Sequence, residues 1–587
     1  MCETPCNGLL LVISLISDHH PCPLFNTSFQ DVCLSGLEKQ KGTDMFTSHT
    51  TARLKTCVVL AACAASLLSA TVAQAADWTS FRGSNTNNAV TVARTPRKAS
   101  EASLKWTLTL KDSADWETSM GDPIIVGSRL YIPVGNTLRV VNKDTGSTEA
   151  TAALPGAIDY TSRPVYGNGQ VFVPLSEGRV CAISTTTNKA LWTTPSIETT
   201  DTENNTQTHQ SLSTPLYVDG KLYVGTTVAD WTKSYRGEFT CFDVSKETTD
   251  AASRIVWNYD NTSSGYYWSG ATKIGTAIVV AGDDGVATSF DAATGTILDR
   301  KPMGASIKVR STVVSYNGHA IFTTNDGRLF SVAMNSDGTF GKGAWSARFA
   351  KNSTTTPAIY NNLAFVGGQN LDTSSTNKGV YCAINLSTME IERRVETPAI
   401  SQSSALVSYA VPGNPLAYFS QNNNPGGVYG ISLQSGTSPI TFFEPTGQQA
   451  NYCSSSIITD SAGTLYYAND SGTLFALKTT IGKSNDARIK SMGKTRGAWS
   501  SKWSSGRLNP KYTRLTLSSK QSSTKITAAR SNSKAKVYMH TSGKSWKKTS
   551  SLTVKLSKGK KTSVYIKCVS EDGKKTCVYR IIVSRKK

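Results

Sequence analysis

Between Val180 and Trp192 the chain reads V-C-A-I-S-T-T-T-N-K-A-L-W, an apolar run, a polar turn and a short strand ending in tryptophan. The run has the character of a packed strand, and the Thr-Thr-Asn cluster has turn chemistry. The order returns along the chain. A short polar position recurs at Asn142, Ser184, Asp243, Asp291, Ala333, Asn385, Ser432 and Lys478, at intervals of 42, 59, 48, 42, 52, 47 and 46 residues. Two residues earlier stands a mostly small residue: Val140, Ala182, Cys241, Ser289, Ser331, Ala383, Gly430 and Ala476. Strand-rich units repeating at this period predict propeller blades, with the small positions in a tight core.

Most units share one script. A Ser/Thr-rich entry leads into a first strand, and a turn such as Asp219-Gly220 or Asn317-Gly318 opens the second. Another Gly-containing turn, as at Asp326-Gly327, feeds the third strand, which carries the marker pair. The last unit lacks a fourth strand. A spare alternating strand, Leu104 to Leu110, precedes the first unit and is expected to complete the last one, closing the ring and covering an open edge. The expected fold is all-β: an eight-bladed β-propeller over residues 77–481, a linker at 482–509 and a small β-sandwich at 510–587.

Charge divides the chain in the same place. The net charge is +21, but residues 482–587 hold 28 Lys and Arg against 3 acidic residues, so everything before them is slightly acidic. A basic tail on a near-neutral repeat domain points to an anionic partner for the tail. Lys544, Lys547, Lys548, Lys555, Lys558, Lys560 and Lys561 cluster around its predicted turns and are candidates for contact with an anionic cell-wall polymer. No nucleic-acid-binding motif accompanies them.

The N-terminus reads as processing signals. Residues 1–44 differ from the rest and are taken as a non-native extension, with Met45 as the start. Arg53 and Lys55, an apolar core from Cys57 to about Val72, and Ala73-Gln74-Ala75 then form a signal peptide over 45–75. Leu60-Ala61-Ala62-Cys63 offers a lipoprotein site as an alternative. No later stretch has the length and apolarity of a membrane-spanning helix, so the expected location is extracytoplasmic, secreted or surface-associated.

Two stretches resemble known families. Trp78, Phe81, Arg82, Gly83 and Asn87 match the W-x-x-F-R-G-x-x-x-N entry segment of PQQ-like β-propellers, and Ala182, Thr187 and Trp192 match the quinoprotein tryptophan-docking spacing. The resemblance implies that each docking tryptophan packs on the neighbouring blade. The tail resembles the cadherin-like β-sandwich of bacterial surface proteins, through Leu508-Asn-Pro, Glu571-Asp572-Gly573 and the closing Tyr579 to Arg585. If Asp572-Gly573 is a two-residue hairpin turn, Cys568 faces Cys577 and an exported chain joins them in a disulfide.

The enzymes of the quinoprotein family hold pyrroloquinoline quinone beneath a disulfide of adjacent cysteines, with a calcium ion. This chain has no adjacent cysteines, and its blade-entry loops are rich in Ser and Thr. The expectation is a non-catalytic binding or scaffold protein without cofactor or metal. A divergent PQQ- and calcium-dependent oxidoreductase is the alternative. By position, Trp116, Tyr160, His209, Trp268, Arg310 and Tyr452 are candidates to line the central funnel for a glycan or protein ligand.

Overall fold

The computed structural model describes residues 77–587 apart from 201–205, 230–233, 372–377, 412, 434–435, 437, 481–485, 501–512 and 572. The extension, the signal peptide and the Cys63 site lie outside the described residues.

The repeats fold into consecutive antiparallel sheets, here A to H, each built outward from a short first strand. Those first strands are Ile124–Val126, Val165–Gly167, Leu216–Val218, Thr272–Ile274, Val314–Tyr316, Ala358–Tyr360, Leu406–Ser408 and Ile458–Thr459. The second strands are almost wholly buried, as in Ala277–Ala281, whereas the fourth strand Thr148–Ala153 is mostly exposed. This gradient arises because both faces of each sheet pack on neighbouring sheets. Apolar clusters join A to B, B to C, C to D, D to E, E to F and F to G. A further cluster joins G, H and A.

The spare strand does complete the last sheet. Ala102–Thr109 pairs antiparallel with Thr473–Thr479, setting Ala102 against Thr479. Tryptophan docking is seen twice with the same parts. Trp106, in the outer strand of H, lies on Gly146 of A and donates from Nε1 to the Lys143 carbonyl at 3.1 Å. Trp257, in the outer strand of C, lies on Gly295 of D and donates to the Ala292 carbonyl at 3.2 Å. Trp192 instead meets Phe172 of its own sheet and Phe242 of the next, with Arg254 over its ring.

The polar marker has a local role. Asn142 Oδ1 accepts from the Asp144 and Thr145 amides, and Asp291 Oδ1 from the Ala293 and Thr294 amides. These side chains close the turn into the fourth strand by mimicking backbone acceptors.

The Ser/Thr entries form a belt around the ring. The Thr312 amide donates to Thr356 Oγ1 (3.0 Å), the Thr356 amide to Ser404 Oγ (2.8 Å) and the Ser404 amide to Ser456 Oγ (3.0 Å). Ser455 Oγ then reaches Asp122 Oδ1 at 2.7 Å, linking sheet H to A. The Thr356, Ser404 and Ser456 hydroxyls each satisfy a buried amide of the preceding sheet, which apolar residues could not do.

The entry segment crosses the ring. The Ile125 amide donates to the Trp78 carbonyl and the Tyr166 amide to the Thr79 carbonyl, in sheets A and B. Asn87 Nδ2 reaches the Ala271 and Val313 carbonyls of D and E, and Asn88 pairs with Ile359 of F. Val90–Thr91 then adds parallel to Leu406–Ser408 of G. Gly83 sits at φ +82° with the Trp78 ring 3.0 Å from where a Cβ would stand, so the turn admits little else.

The basic tail is a two-sheet sandwich. Ile489–Lys494, Ser523–Arg530 and Ser551–Lys555 form one sheet. The other contains Ala498–Trp499, Thr513–Leu517, Thr576–Arg585, Lys561–Val569, Lys536–Thr541 and Lys547–Lys548. The expected linker therefore needs correction: within 482–509, Ile489–Lys494 and Ala498–Trp499 are strands of the sandwich. Ala487 and Ile489 enter its core. Their apolar signal was diluted by intervening Lys, Ser and Gly.

Candidate functional site

The belt side of the ring is where the entry loops converge. A cavity of about 110 Å³ opens there, lined by Lys111, Trp116, Asp122, Tyr160, Arg163 and Asp470 among others. Tyr160 is half exposed, with its hydroxyl 2.9 Å from Ser454 Oγ. Partial desolvation of that phenol pushes it up to about 12, and the nearby Asp470 carboxylate adds to the effect. Burial also raises the Asp470 carboxyl, opposed by Lys111. The cavity thus presents a neutral phenol, an indole and charges of both signs, which suits hydrogen bonding to a small polar group.

Beneath it the charges are spent on one another. Arg163 bonds Asp122 at 3.4 Å, Thr214 Oγ1 at 3.1 Å and the Trp268 carbonyl at 3.3 Å, with its guanidinium 3.9 Å from the Phe81 ring centre. Arg82 is fully buried and donates from Nη2 to the Ala405 carbonyl. Its Nε and Nη1 find no hydrogen-bond partner among the described residues, and desolvation lowers it to about 9.

Of the six funnel candidates, Trp116 and Tyr160 meet in the cavity. Tyr452 is exposed beside it, its carbonyl accepting the Asp470 amide. Trp268 is half-buried at φ +58° and borders Arg163 through its carbonyl. Two candidates require correction. His209 is 1% exposed and extends the hairpin of Glu198–Thr200 and Thr206–Thr208, its amide donating to the Ile197 carbonyl and its Nδ1 2.8 Å from Thr226 Oγ1. Burial depresses it to about 4, so it is a neutral packed ring and not a funnel group. Arg310 is locked in a bidentate pair with Asp283 (Nη2–Oδ2 2.6 Å, Nε–Oδ1 3.0 Å) and lies 4.2 Å from the Tyr267 ring centre. Lys111, Asp122, Arg163 and Asp470 were missed. The available signal was Asp122 and Arg163 occurring at matching entry positions of consecutive sheets.

In the sandwich, Lys544 follows the Lys536–Thr541 strand, Lys547 and Lys548 form the edge strand, and Lys555, Lys558, Lys560 and Lys561 surround the turn joining Ser551–Lys555 to Lys561–Val569. Cys568 and Cys577 face each other in the ladder, as expected, and are free thiols in this structure. The Ser570 amide donates to the Lys575 carbonyl, while Asp572 of the expected two-residue turn lies outside the described residues. The symmetry about the turn, and hence the register, is unchanged.

The fold raises the question of quinone and calcium. The residues present do not fit them. Pockets that enclose ligands of that size run from roughly 300 Å³ upward, whereas this cavity is about 110 Å³. Two belt-side acids, Asp122 and Asp283, are committed to Arg163 and Arg310, which leaves Asp470 as the acid of the cavity lining outside these pairs. Among the described residues no three His, Cys, Asp or Glu side chains gather as a metal site.

Comparison with known proteins agrees with the architecture. Residues 85–250 match the family described as outer membrane protein assembly factor BamB. The quinohemoprotein alcohol dehydrogenase of Comamonas testosteroni superposes with a TM-score of 0.53 at 11% identity, covering 71% of this chain and 82% of that one. The quinohemoprotein alcohol dehydrogenase ADHIIG of Pseudomonas putida HK5 gives 0.52 at 11%, covering 72% and 84%. A europium-containing methanol dehydrogenase gives 0.51 at 10%, covering 67% and 89%. Among curated proteins no sequence match is found. The fold is therefore a β-propeller. More narrowly, its fold is similar to that of the quinohemoprotein dehydrogenases, and its residues 85–250 match a family described as an assembly factor.

Proposed function

We propose that the protein is a non-catalytic binding or scaffold protein acting outside the cytoplasm, with the propeller as platform and the basic sandwich as attachment to an anionic surface polymer. The carrying observation is the belt-side mouth, where arginines hold the acids, the entry segment crosses the ring and a small cavity remains. Such a rim receives a protruding group of a protein or glycan partner, with Trp116 and Tyr160 as its aromatic contacts. The family description as an assembly factor supports a protein partner. No helix among the described residues is long and apolar enough to cross a membrane. Reconstitution with quinone and calcium tests the reading: the expected result is no quinone-dependent dye reduction with alcohols. Saturable reduction would overturn it in favour of a quinoprotein oxidoreductase.

A further inference from the structure

The sandwich holds a second concavity, an open groove of about 780 Å³ between Ile489–Lys494 with Ser523–Arg530 on one side and the edge of Lys536–Thr541 with Lys547–Lys548 on the other. Lys490, Arg530, Lys536 and Lys548 line it, all exposed, and among the described residues no acidic side chain does. None of the four stands in an ion pair among the described residues; the neighbouring Glu571 is taken by Lys534. Ser and Thr hydroxyls supply most of the remaining polar lining, with Met492 and Val537 giving apolar surface. Of the lysines singled out from the sequence, only Lys548 belongs to this groove.

The basic lining continues onto the outer face of the larger sheet. Lys548 stands opposite Tyr538, and Tyr538 opposite Lys567, in adjacent ladders. Lys567 lies 4.7 Å from the Trp546 ring centre and 5.1 Å from that of Tyr538. His540 stacks on Tyr565 at 4.9 Å and meets Trp546 edge-on at 4.3 Å, and Arg580 lies 5.6 Å from Tyr565. The strands of this face carry no Asp or Glu.

We infer that this groove binds a segment of acidic glycan, its carboxylate or phosphate groups meeting the four cations and its hydroxyls the Ser/Thr lining. The inference rests on the attachment reading above and gives it a place and a ligand class. Single-stranded nucleic acid fits less well. Its affinity beyond charge comes from bases stacking on free aromatic faces. Among the described residues no aromatic side chain lines the groove, and the adjacent rings already engage cations and one another.

The test uses the whole chain with fluorescein-labelled alginate oligomers as the acidic glycan and labelled oligo-dT as the competing class, followed by anisotropy. One variant carries Lys490→Gln, Lys536→Gln and Lys548→Gln. Its control carries Lys520→Gln, Lys586→Gln and Lys587→Gln, removing the same charge at the opposite end of the strands. The groove variant is expected to bind alginate about tenfold more weakly than wild type and the control within about twofold, since only the first removes direct charge-assisted contacts. Wild-type binding that both variants weaken equally, or neither weakens, overturns the groove while leaving attachment standing. Tighter binding of oligo-dT than of alginate overturns the glycan class. A wild-type chain that binds no polyanion overturns the attachment reading as well.

Discussion

Replacing Gly295 with alanine isolates what holds one propeller sheet to the next. Gly295 adopts φ +74°, and an added Cβ would fall 2.5 Å from the Trp257 ring and 2.9 Å from its Cβ. Three costs follow: a side chain in left-handed backbone, displacement of a packed indole, and weakening of the Trp257 to Ala292 hydrogen bond. Together they amount to about 3 kcal/mol. Gly220 and Gly318 provide the control, with φ +74° and +73° and nothing within 4 Å of the added carbon. There only the backbone cost remains, about 1 kcal/mol. Guanidinium unfolding of the three variants should place Gly295→Ala about 2 kcal/mol below the other two. In a Trp257→Leu background the same substitution should cost little more than at Gly220, because the indole it displaces is gone. Equal destabilisation at all three glycines, or no coupling to Trp257, would refute the docking account.

Three other outcomes are expected. His209 is depressed from 6.5 to about 4 by burial, so the unfolded chain binds its proton first; the stability from keeping it neutral is present above pH 6.5 and lost as pH falls toward 4. His209→Gln should flatten that part of the stability–pH curve, and an unchanged slope would assign it to other groups. Arg310→Ala strands the buried Asp283 carboxylate and should cost about 3 kcal/mol in denaturant unfolding, with Arg310→Gln/Asp283→Asn recovering most of it; no loss in the single variant would contradict the pair's structural role. Cys568 and Cys577 should form a disulfide in the oxidised protein, seen as the loss of two hydrogens by intact mass and restored by reductant; identical masses would exclude it.

The propeller was legible because its signal is local and repeated. Ala182, Ser289 and Ala383 are buried in the same strand of their sheets, so packing imposes a small residue at the same step of each unit. The completing strand was legible because an unpaired edge is costly. The belt was visible only as composition: Thr356 and Ser404 read as hydroxyls in loops, since their partners lie in the preceding sheet, more than forty residues earlier in the chain. His209 was misplaced because the hairpin it extends is an insertion in the script. Arg310 was misread for another reason: an entry-loop arginine looks available until its acid, Asp283, is found in the preceding sheet. Lys490 and Arg530 escaped notice because one sits in a stretch that resembled a linker and the other far from the lysine-rich turns.

The segment from Trp78 to Thr109 first crosses the ring and then supplies the outer strand of sheet H. Ser103 and Thr480, which bond across that seam at 2.7 Å, are 377 residues apart. Drawing such distant ends together costs about 5 kcal/mol of chain entropy, from the logarithmic dependence on loop length. None of this is recovered until sheet H exists. The strand Ala102–Thr109, among the earliest parts of the propeller to leave the ribosome, must therefore wait for the rest. Folding cannot finish in the order of synthesis, and a chain cut anywhere before Thr473 loses the strand to which its own beginning is fastened.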